Sequence, residues 1–198
     1  EELFEMRTPK NLSPISEATG RVKVETTEEG YILKVRATKP KMGDEKEYFV
    51  PRTSKLAVSD LDEIKIGAQI AEGYLDPKEI LRIKGLTDAQ RYVITEAQKV
   101  YESQGIAIND KHFEVVLRKM SDIVVVETVG DTSLIPGAFV TKTRFDEINA
   151  ETISQGGEPA TARQTILGIT KSALFSDSWL SAASFQETTK VLTEAALE

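Results

Sequence analysis

The chain has 198 residues, 40% of them hydrophobic, and a net charge of −7 at pH 7. This composition supports a buried core and argues against wholesale disorder. The absence of cysteine excludes disulfides and thiolate metal sites, and no apolar run approaches the roughly 18 residues of a membrane-spanning helix. The acidic balance argues against a free-standing nucleic-acid binder held by bulk electrostatics, so any DNA contact must be local.

The two ends of the sequence indicate a segment of a longer polypeptide. The chain begins at Glu1 without a methionine and ends inside a predicted helix. Residues 1–12 are charged, and Pro9 and Pro14 favour an extended backbone. We interpret residues 1–12 as a connecting strap.

Residues 13–75 alternate with the two-residue period of β-strands. The apolar positions of one predicted strand fall on a single face and comprise Tyr31, Leu33, Val35 and Ala37. Further short strands are predicted at 47–50, 55–58 and within the glycine-punctuated segment 63–73. The pattern predicts a small, strongly twisted antiparallel β-module of barrel-sandwich type, followed by mainly helical sequence.

Residues 76–120 change to helical periodicity and are interpreted as a helical cleft segment. Asp76 followed by Pro77 predicts a helix start, and Gly85 predicts the end of that helix. A second helix is predicted to open with a capping box at Thr87 to Gln90. Its apolar stripe comprises Ala89, Tyr92, Val93, Ala97, Val100 and Tyr101.

A third helix follows Gly105, with Asn109 or Asp110 as its cap. Its predicted buried positions are Phe113, Val116, Leu117 and Met120. A β-branched run at 123–129 then predicts a second, short β-excursion over 121–143.

Residues 144–198 are interpreted as a helix, a loop and a switch segment. A polar helix is predicted at 145–155 and ends at Gly156-Gly157, and 158–164 is predicted as a loop. The last helix is predicted at 181–197, with Ser184 and Glu187 as a capping box. Its apolar stripe comprises Val191, Leu192, Ala195 and Ala196, and the switch residues expected to pack are Trp179, Leu180, Phe185 and Leu192. The predicted fold class is therefore α+β.

The usual catalytic constellations are absent or weak. His112, the only histidine, lies at the start of a predicted helix, where a structural or surface role is favoured over acid–base catalysis. Thr170-Lys171-Ser172 lacks the glycine that precedes a P-loop lysine. Acidic runs such as 60–63 are typical of solvated turns. The lysines around Pro40 lack the tight hairpin that presents a carrier lysine.

Four motifs in order resemble the largest (beta-prime) subunit of bacterial RNA polymerase, downstream of its trigger loop. They are ELFEMRTPK at 2–10, QKVYESQGIAINDKHFEVVLRKM at 98–120, GDTSLIPGAFV at 130–140 and LGITKSALFSDSWLSAASFQETTKVLTEAA at 167–196. The resemblance spans nearly the whole chain, and the last motif is highly specific. The chain departs from the family's usual residues at Phe113, Val116 and Lys119, by changes that preserve approximate side-chain volume.

The resemblance implies the jaw, part of the cleft and the first switch region of a DNA-directed RNA polymerase, a nucleotidyltransferase of transcription. In that family the jaw faces downstream DNA, and the switch lies beside the template strand at the clamp hinge. A lysine would neutralise a phosphate, and amides or hydroxyls would add contacts that read no bases. The implied switch contacts are Lys171, Gln186, Thr188, Thr189, Lys190 and Arg163. The possible jaw contacts are Arg21, Lys23, Lys34, Arg36, Lys39 and Lys41, for which a solvated strand face is the alternative.

The resemblance also implies partners and cofactors. The expected partners are the beta, alpha and omega subunits, a sigma factor, the template DNA and the downstream duplex, in the cytoplasm at the nucleoid and away from membranes. Magnesium and zinc are implied for the intact subunit. This segment is expected to hold neither cofactor nor catalytic residues, because its sequence lacks the aspartate cluster that binds catalytic magnesium.

A second class of function stays open on the sequence alone. The chain could be an independent barrel-sandwich β-module with a helical arm that binds another protein. Limited proteolysis separates the two classes, because a polymerase segment is expected to be cleaved near Gly156-Gly157 and a self-sufficient module to resist there.

Overall fold

The computed structural model describes residues 2–39, 44–176, 178–185 and 188–197. They form an α+β structure with two small antiparallel sheets, so the predicted fold class is confirmed. The chain divides into a sheet unit, Thr8–Tyr92, and a helical unit, Glu1–Arg7 with Val93–Glu198. No helix in the described part of the chain is long and apolar enough to cross a bilayer.

The sheet unit is built on four strands whose spatial order is β3-β2-β1-β4. The strands are β1 (Thr19–Thr26), β2 (Gly30–Lys39), β3 (Glu45–Pro51) and β4 (Glu63–Ile64). Successive side chains point to opposite faces of a strand, and the inward set forms the core with residues from the following loop. The core residues are Val22, Leu33, Val35, Val50, Ile64, Ile70 and Ala71. The alternation predicted for β2 is confirmed.

Two of the predicted strands are shorter than expected. Residues 55–58 form only an isolated bridge, in which Leu56 pairs with Ala71, and the segment 63–73 is a strand only at β4. Gly67 and Gly73 take φ angles of 80° and 150°. Such angles suit glycine and turn the backbone away from a ladder, so long strands cannot form here.

The first helix of the sheet unit, α1 (Pro77–Lys84), follows its predicted signals. The Asp76 side chain accepts a hydrogen bond from the Lys78 backbone N–H at 2.9 Å, and Gly85 has a φ of 95° at the other end. Both the predicted start and the predicted end are therefore confirmed.

Helix α2 (Leu86–Ser103) begins one residue earlier than the predicted capping box. The Gly85 carbonyl already accepts a hydrogen bond from the Ala89 N–H at 3.3 Å, so Thr87 lies within the first turn and is not the cap. The buried stripe comprises Ala89, Val93 and Ala97.

The last turn of α2 departs from the predicted stripe at Val100, which is 56% exposed. The Tyr101 ring covers this end of the helix instead, because it packs on Phe113 with ring centroids 5.6 Å apart. The following helix, α3 (Asp110–Met120), is capped by the Asn109 side chain. Its buried residues are Phe113, Leu117 and Met120.

The helical unit contains a second sheet with the order β6-β5-β7. Its strands are β5 (Ile123–Thr128), β6 (Phe139–Thr141) and β7 (Thr161–Gln164). The sequence predicts a loop at 158–164, and for β7 this prediction is wrong. The four residues are mostly polar and give no hydrophobic signal, yet they pair with β5 as an edge strand.

Helix α4 (Lys142–Ser154) begins three residues before the predicted start, because Thr141 ends β6 and is also the N-cap. The switch segment contains α5 (Ile169–Leu174), α6 (Trp179–Phe185) and α7 (Thr188–Leu197). The helix predicted at 181–197 corresponds to α6 and α7, and residues 186–187 between them lie outside the described residues. Ser184 lies inside α6 and donates to the Ser181 carbonyl at 3.1 Å, so it is no N-cap. Glu187 lies outside the described residues.

The start of the chain also differs from its predicted extended path. Residues 2–7 form a closed turn, in which the Met6 N–H donates to the Leu3 carbonyl at 3.2 Å and the Arg7 N–H to the Glu2 carbonyl at 3.1 Å. Pro9 restricts only its own φ and the residue before it, so the prolines leave residues 2–7 free to turn. We call residues 2–7 the N-terminal turn.

Candidate nucleic-acid interface

Helix α5 is seated in the helical unit by its apolar and hydroxyl groups. Ile166 and Leu167, directly before the helix, are buried. The Leu167 N–H donates to the Met120 carbonyl at 3.0 Å, and the buried Ser172 hydroxyl donates to the Lys119 carbonyl at 3.0 Å. These contacts fix the helix without using any charged side chain.

Lys171 lies in the middle of α5 and is exposed. In the part of the chain that the structure describes, no carboxylate comes within 4.0 Å of its ammonium group. An ammonium group without a local partner can contact an anion without first breaking an ion pair.

Apart from Arg163, the other predicted switch residues lie on α7 or outside the described residues. α6 contacts both α5 and α7. Thr188 and Thr189 begin α7 and are exposed, and the Thr188 hydroxyl donates to the Ala183 carbonyl at 2.8 Å. Gln186 lies outside the described residues, as does the side chain of Lys190, whose backbone belongs to α7.

The large apolar residues of the switch do not pack within this chain as predicted. Their exposed fractions are 53% for Trp179, 60% for Leu180, 47% for Phe185 and 46% for Leu192. α6 instead buries the small residues Ala182 and Ala183.

Arg163 lies on β7, a different element from α5 and α7. Its Nε is 3.5 Å from Glu127 Oε1, and the two side chains are 68% and 54% exposed. An ion pair this exposed contributes little free energy. Arg163 therefore remains able to exchange its partner for another anion.

The predicted jaw cations lie together on the outer face of the sheet unit. Arg21 on β1 is directly opposite Arg36 on β2, and Lys23 is opposite Lys34. The strand register places four carboxylates on the same face, those of Glu25, Glu45, Glu47 and Glu63. The four cations are thus balanced by four anions. Lys41 and the side chain of Lys39 lie outside the described residues.

The two lysines of this face are engaged locally, whereas the two arginines are not. Lys34 Nζ is 2.9 Å from Glu25 Oε2 and 3.7 Å from Glu47 Oε1, and Lys23 Nζ is 3.5 Å from Glu25 Oε1. The hydrogen bond from Lys34 lowers the pKa of Glu25 and raises that of Lys34. Among the described residues, no carboxylate lies within 4.0 Å of the Arg21 or Arg36 guanidinium.

The remaining candidates from the sequence were the single histidine and a possible metal site. His112 is exposed on α3. The described ranges contain no group of three or more histidine, aspartate or glutamate side chains placed to hold a metal ion.

Sequence reasoning missed the N-terminal turn as part of this site. The Phe4 carbonyl accepts a hydrogen bond from the Ile169 N–H at 2.9 Å, and the Glu5 carboxylate accepts one from the Thr170 hydroxyl at 2.5 Å. The partners are 165 residues apart in the latter bond. No local pattern could have indicated a contact over such a separation.

Residues 7–176 match the family described as RNA polymerase Rpb1, domain 5, and the chain belongs to this family.

More particularly, the chain is similar to bacterial subunits named DNA-directed RNA polymerase subunit beta'. Over its whole length it is 50% identical to that of Kocuria rhizophila, 49% to that of Natranaerobius thermophilus and 46% to that of Thermobifida fusca. It spans only 15–16% of the length of these relatives. The family resemblance stated from the four motifs is confirmed.

Proposed function

We propose that this chain is a non-catalytic, DNA-guiding part of the beta-prime subunit of bacterial RNA polymerase. In this proposal α5 and α7 contact the template strand, and the outer face of the sheet unit faces the downstream duplex. Contacts to phosphates hold DNA without reading its sequence. Such contacts suit an enzyme that must move along any template.

The observation that supports the switch contact best is the state of Lys171. The neighbouring hydroxyls of Thr170 and Ser172 are bound within the chain, and Lys171 is the exposed cation between them. A lysine acts on a phosphate as a point charge and tolerates sliding of the backbone. Thr189 would add a hydroxyl contact from α7, whereas the Thr188 hydroxyl already donates to the Ala183 carbonyl.

The arginine pair is the best-supported part of the proposed jaw contact. Arg21 and Arg36 present two guanidinium groups side by side, and each guanidinium matches the geometry of a phosphate. Because the face as a whole is electrically balanced, we expect a short-range contact from these two residues and no broad attraction.

The proposal extends to the assembly around this segment. We expect it to contact the beta, alpha and omega subunits, a sigma factor and DNA, in the cytoplasm at the nucleoid. We expect the magnesium and zinc ions of the intact subunit, together with the catalytic centre, to be held by residues outside this segment. Accordingly, the 198-residue chain incubated with template and nucleotides should synthesise no RNA.

Substitution of Lys171 in the assembled polymerase tests the switch contact. Lys171→Ala should shorten the lifetime of the open complex and reduce the slope of log affinity against log salt by about 0.7–0.9, the effect of one lost phosphate contact. Lys171→Arg should retain most of both quantities. Lys119→Ala is the matched control, because that lysine is exposed and lies 3.5 Å from the Asp122 carboxylate.

A stricter version removes Lys171 and Gln186 together. If the open-complex lifetime and the elongation rate both stay at the wild-type values, the proposed template contact is wrong.

The alternative of an independent protein-binding module is disfavoured by the extent of the similarity. The relatives align with all 198 residues, including the switch segment, as one stretch of a much longer subunit. A self-sufficient module would be expected to match over the β-rich part alone.

A further inference from the structure

The N-terminal turn has a conformation that its surroundings must hold in place. Met6 is only 4% exposed and has a φ of 52°. This left-handed region is rarely adopted by residues other than glycine, asparagine and aspartate. A buried methionine in that conformation indicates a turn that is fixed by its contacts with the helical unit.

One of those contacts completes the start of α5. The first N–H groups of a helix have no acceptor within the helix, and the N-cap, Gly168, has no side chain that could supply one. The Phe4 carbonyl fills this role for Ile169, the first residue of α5. The Phe4 ring meanwhile stacks on Phe113 of α3, with ring centroids 6.1 Å apart. The turn therefore joins α5 to α3.

The second contact joins the Glu5 carboxylate to Thr170, the residue before Lys171. The Thr170 hydroxyl donates to Glu5 Oε1 at 2.5 Å, within the range of short hydrogen bonds to an ionised acceptor. Gly168 explains how the two segments approach so closely. A Cβ atom at Gly168 would lie 2.5 Å from the Glu5 carbonyl oxygen and 2.9 Å from its carbon.

We infer that Phe4 and Glu5 are positioning residues for Lys171. The N-terminal turn fixes the first turn of α5 through Ile169 and Thr170, and so fixes the direction in which the next side chain leaves the helix. The inference rests on the proposed DNA contact of Lys171 and deepens it. Neither Phe4 nor Glu5 needs to touch DNA.

Hydrogen exchange in the assembled polymerase tests whether the N-terminal turn fixes the first turn of α5. Glu5→Ala and Thr170→Val should each speed exchange of the amides at 169–172 by about tenfold, the factor that corresponds to one hydrogen bond to a charged group. Glu5→Gln should restore slow exchange, because its amide oxygen still accepts from the hydroxyl. Glu2→Ala is the matched control, since Glu2 is an exposed glutamate of the same turn.

The two single variants should also be non-additive. If Glu5 and Thr170 act through one bond, the double variant should exchange no faster than either single variant. Unchanged exchange in both single variants, or effects that add in the double variant, would overturn the inference.

The open-complex lifetime tests whether Glu5 acts on DNA binding through Lys171. Glu5→Ala should shorten the lifetime when Lys171 is present and have no further effect in the Lys171→Ala background. A general loss of folding would shorten the lifetime equally in both backgrounds, and that result would overturn the positioning role.

The same measurements separate this inference from the proposed function. If Lys171→Ala leaves the lifetime unchanged, the DNA contact itself fails, and the exchange data alone decide whether the turn fixes α5. If Lys171→Ala shortens the lifetime and Glu5→Ala does not, the contact stands and the positioning role is wrong.

Discussion

The outer face of the sheet unit and helix α5 are both candidate DNA-contacting surfaces. They differ in how far their cations are paired with carboxylates. On the sheet, four cations share a face with four carboxylates, and Lys34 is bound to two of them. On α5, Lys171 is seated by neighbours that use only backbone groups, hydroxyls and one carboxylate bound to Thr170. A count of basic residues would rank the sheet face first.

The comparison teaches that the availability of a charge matters more than the number of charges. A cation that faces a carboxylate across two strands stabilises the sheet modestly and is partly neutralised. A cation such as Lys171, which has no carboxylate within 4.0 Å in the described part of the chain, can bind an anion without first breaking an ion pair. Substitutions on either surface test this difference.

The largest effect is expected when the contact between the start of α5 and the N-terminal turn is broken. Gly168→Ala should lower the free energy of unfolding of the 198-residue chain by about 1–3 kcal/mol, because the added methyl group overlaps the backbone of Glu5. Chemical denaturation measures this. Gly137→Ala measures backbone strain alone, since a Cβ there meets nothing within 4 Å but φ is 78°. An unchanged free energy of unfolding in Gly168→Ala would show that the close approach does not stabilise the chain.

The next effect concerns the arginine pair of the sheet face. Replacing Arg21 and Arg36 together with alanine in the assembled polymerase should weaken downstream duplex binding by about fivefold and lower the salt slope by up to about 1.8, the effect of two lost phosphate contacts. Replacing Lys23 and Lys34 should change the slope less, because these lysines are already paired. An equal change for both pairs would remove the distinction between them.

A gain of binding is expected when the partner of the lysines is removed. Glu25→Gln removes the partner of Lys23 and one of the two partners of Lys34, and it leaves the face with one excess positive charge. Duplex binding by the polymerase at low salt should become about twofold tighter, and salt should abolish the gain because it screens exposed charges. Glu28→Gln makes the same change of charge at an exposed position of the same unit. If the two variants bind equally, local pairing is irrelevant.

The smallest effect tests how little an ion pair contributes in the sheet unit. Glu17 lies 2.5 Å from Arg82 and 3.1 Å from Lys46, and the bond to Arg82 is the main reason that the pKa of Glu17 is lowered. Glu17→Gln should cost less than about 1 kcal/mol at neutral pH.

The pH dependence of this stabilisation follows from the direction of the shift. Because folding lowers the pKa of Glu17, its contribution is present above 4.5, the ordinary value, and is lost as the pH falls through the lowered pKa. Denaturation of the wild-type chain and the variant should therefore differ at neutral pH and converge in strong acid. A difference that grew in acid would contradict the assignment.

Local chemistry made much of the fold predictable. The caps Asp76 and Asn109 and the terminator Gly85 act through bonds to their immediate neighbours, and the structure contains all three. β7 could not be predicted in this way, because its polar residues gain their order from pairing with β5, more than thirty residues earlier.

In the candidate site, too, local features were predictable from the sequence and contacts between distant residues were not. Lys171 was predictable as a candidate because it lies in a specific motif. The contacts that hold its helix were not predictable, because the Phe4 carbonyl and the Glu5 carboxylate come from the opposite end of the sequence. The difference between paired and unpaired cations on the sheet required the strand register, which sequence alternation leaves open.

The edges of the four-stranded sheet also have a consequence for newly made chains. Within the described residues, β3 hydrogen-bonds to β2 alone, and its sequence carries Glu45, Lys46 and Glu47 before ending at Pro51. The opposite border, β4, is only two residues long. The charges and the proline of β3 oppose the addition of a strand from a second copy, and β4 is too short to pair with one. The sheet unit should consequently resist edge-to-edge aggregation before the other parts of the assembly are present.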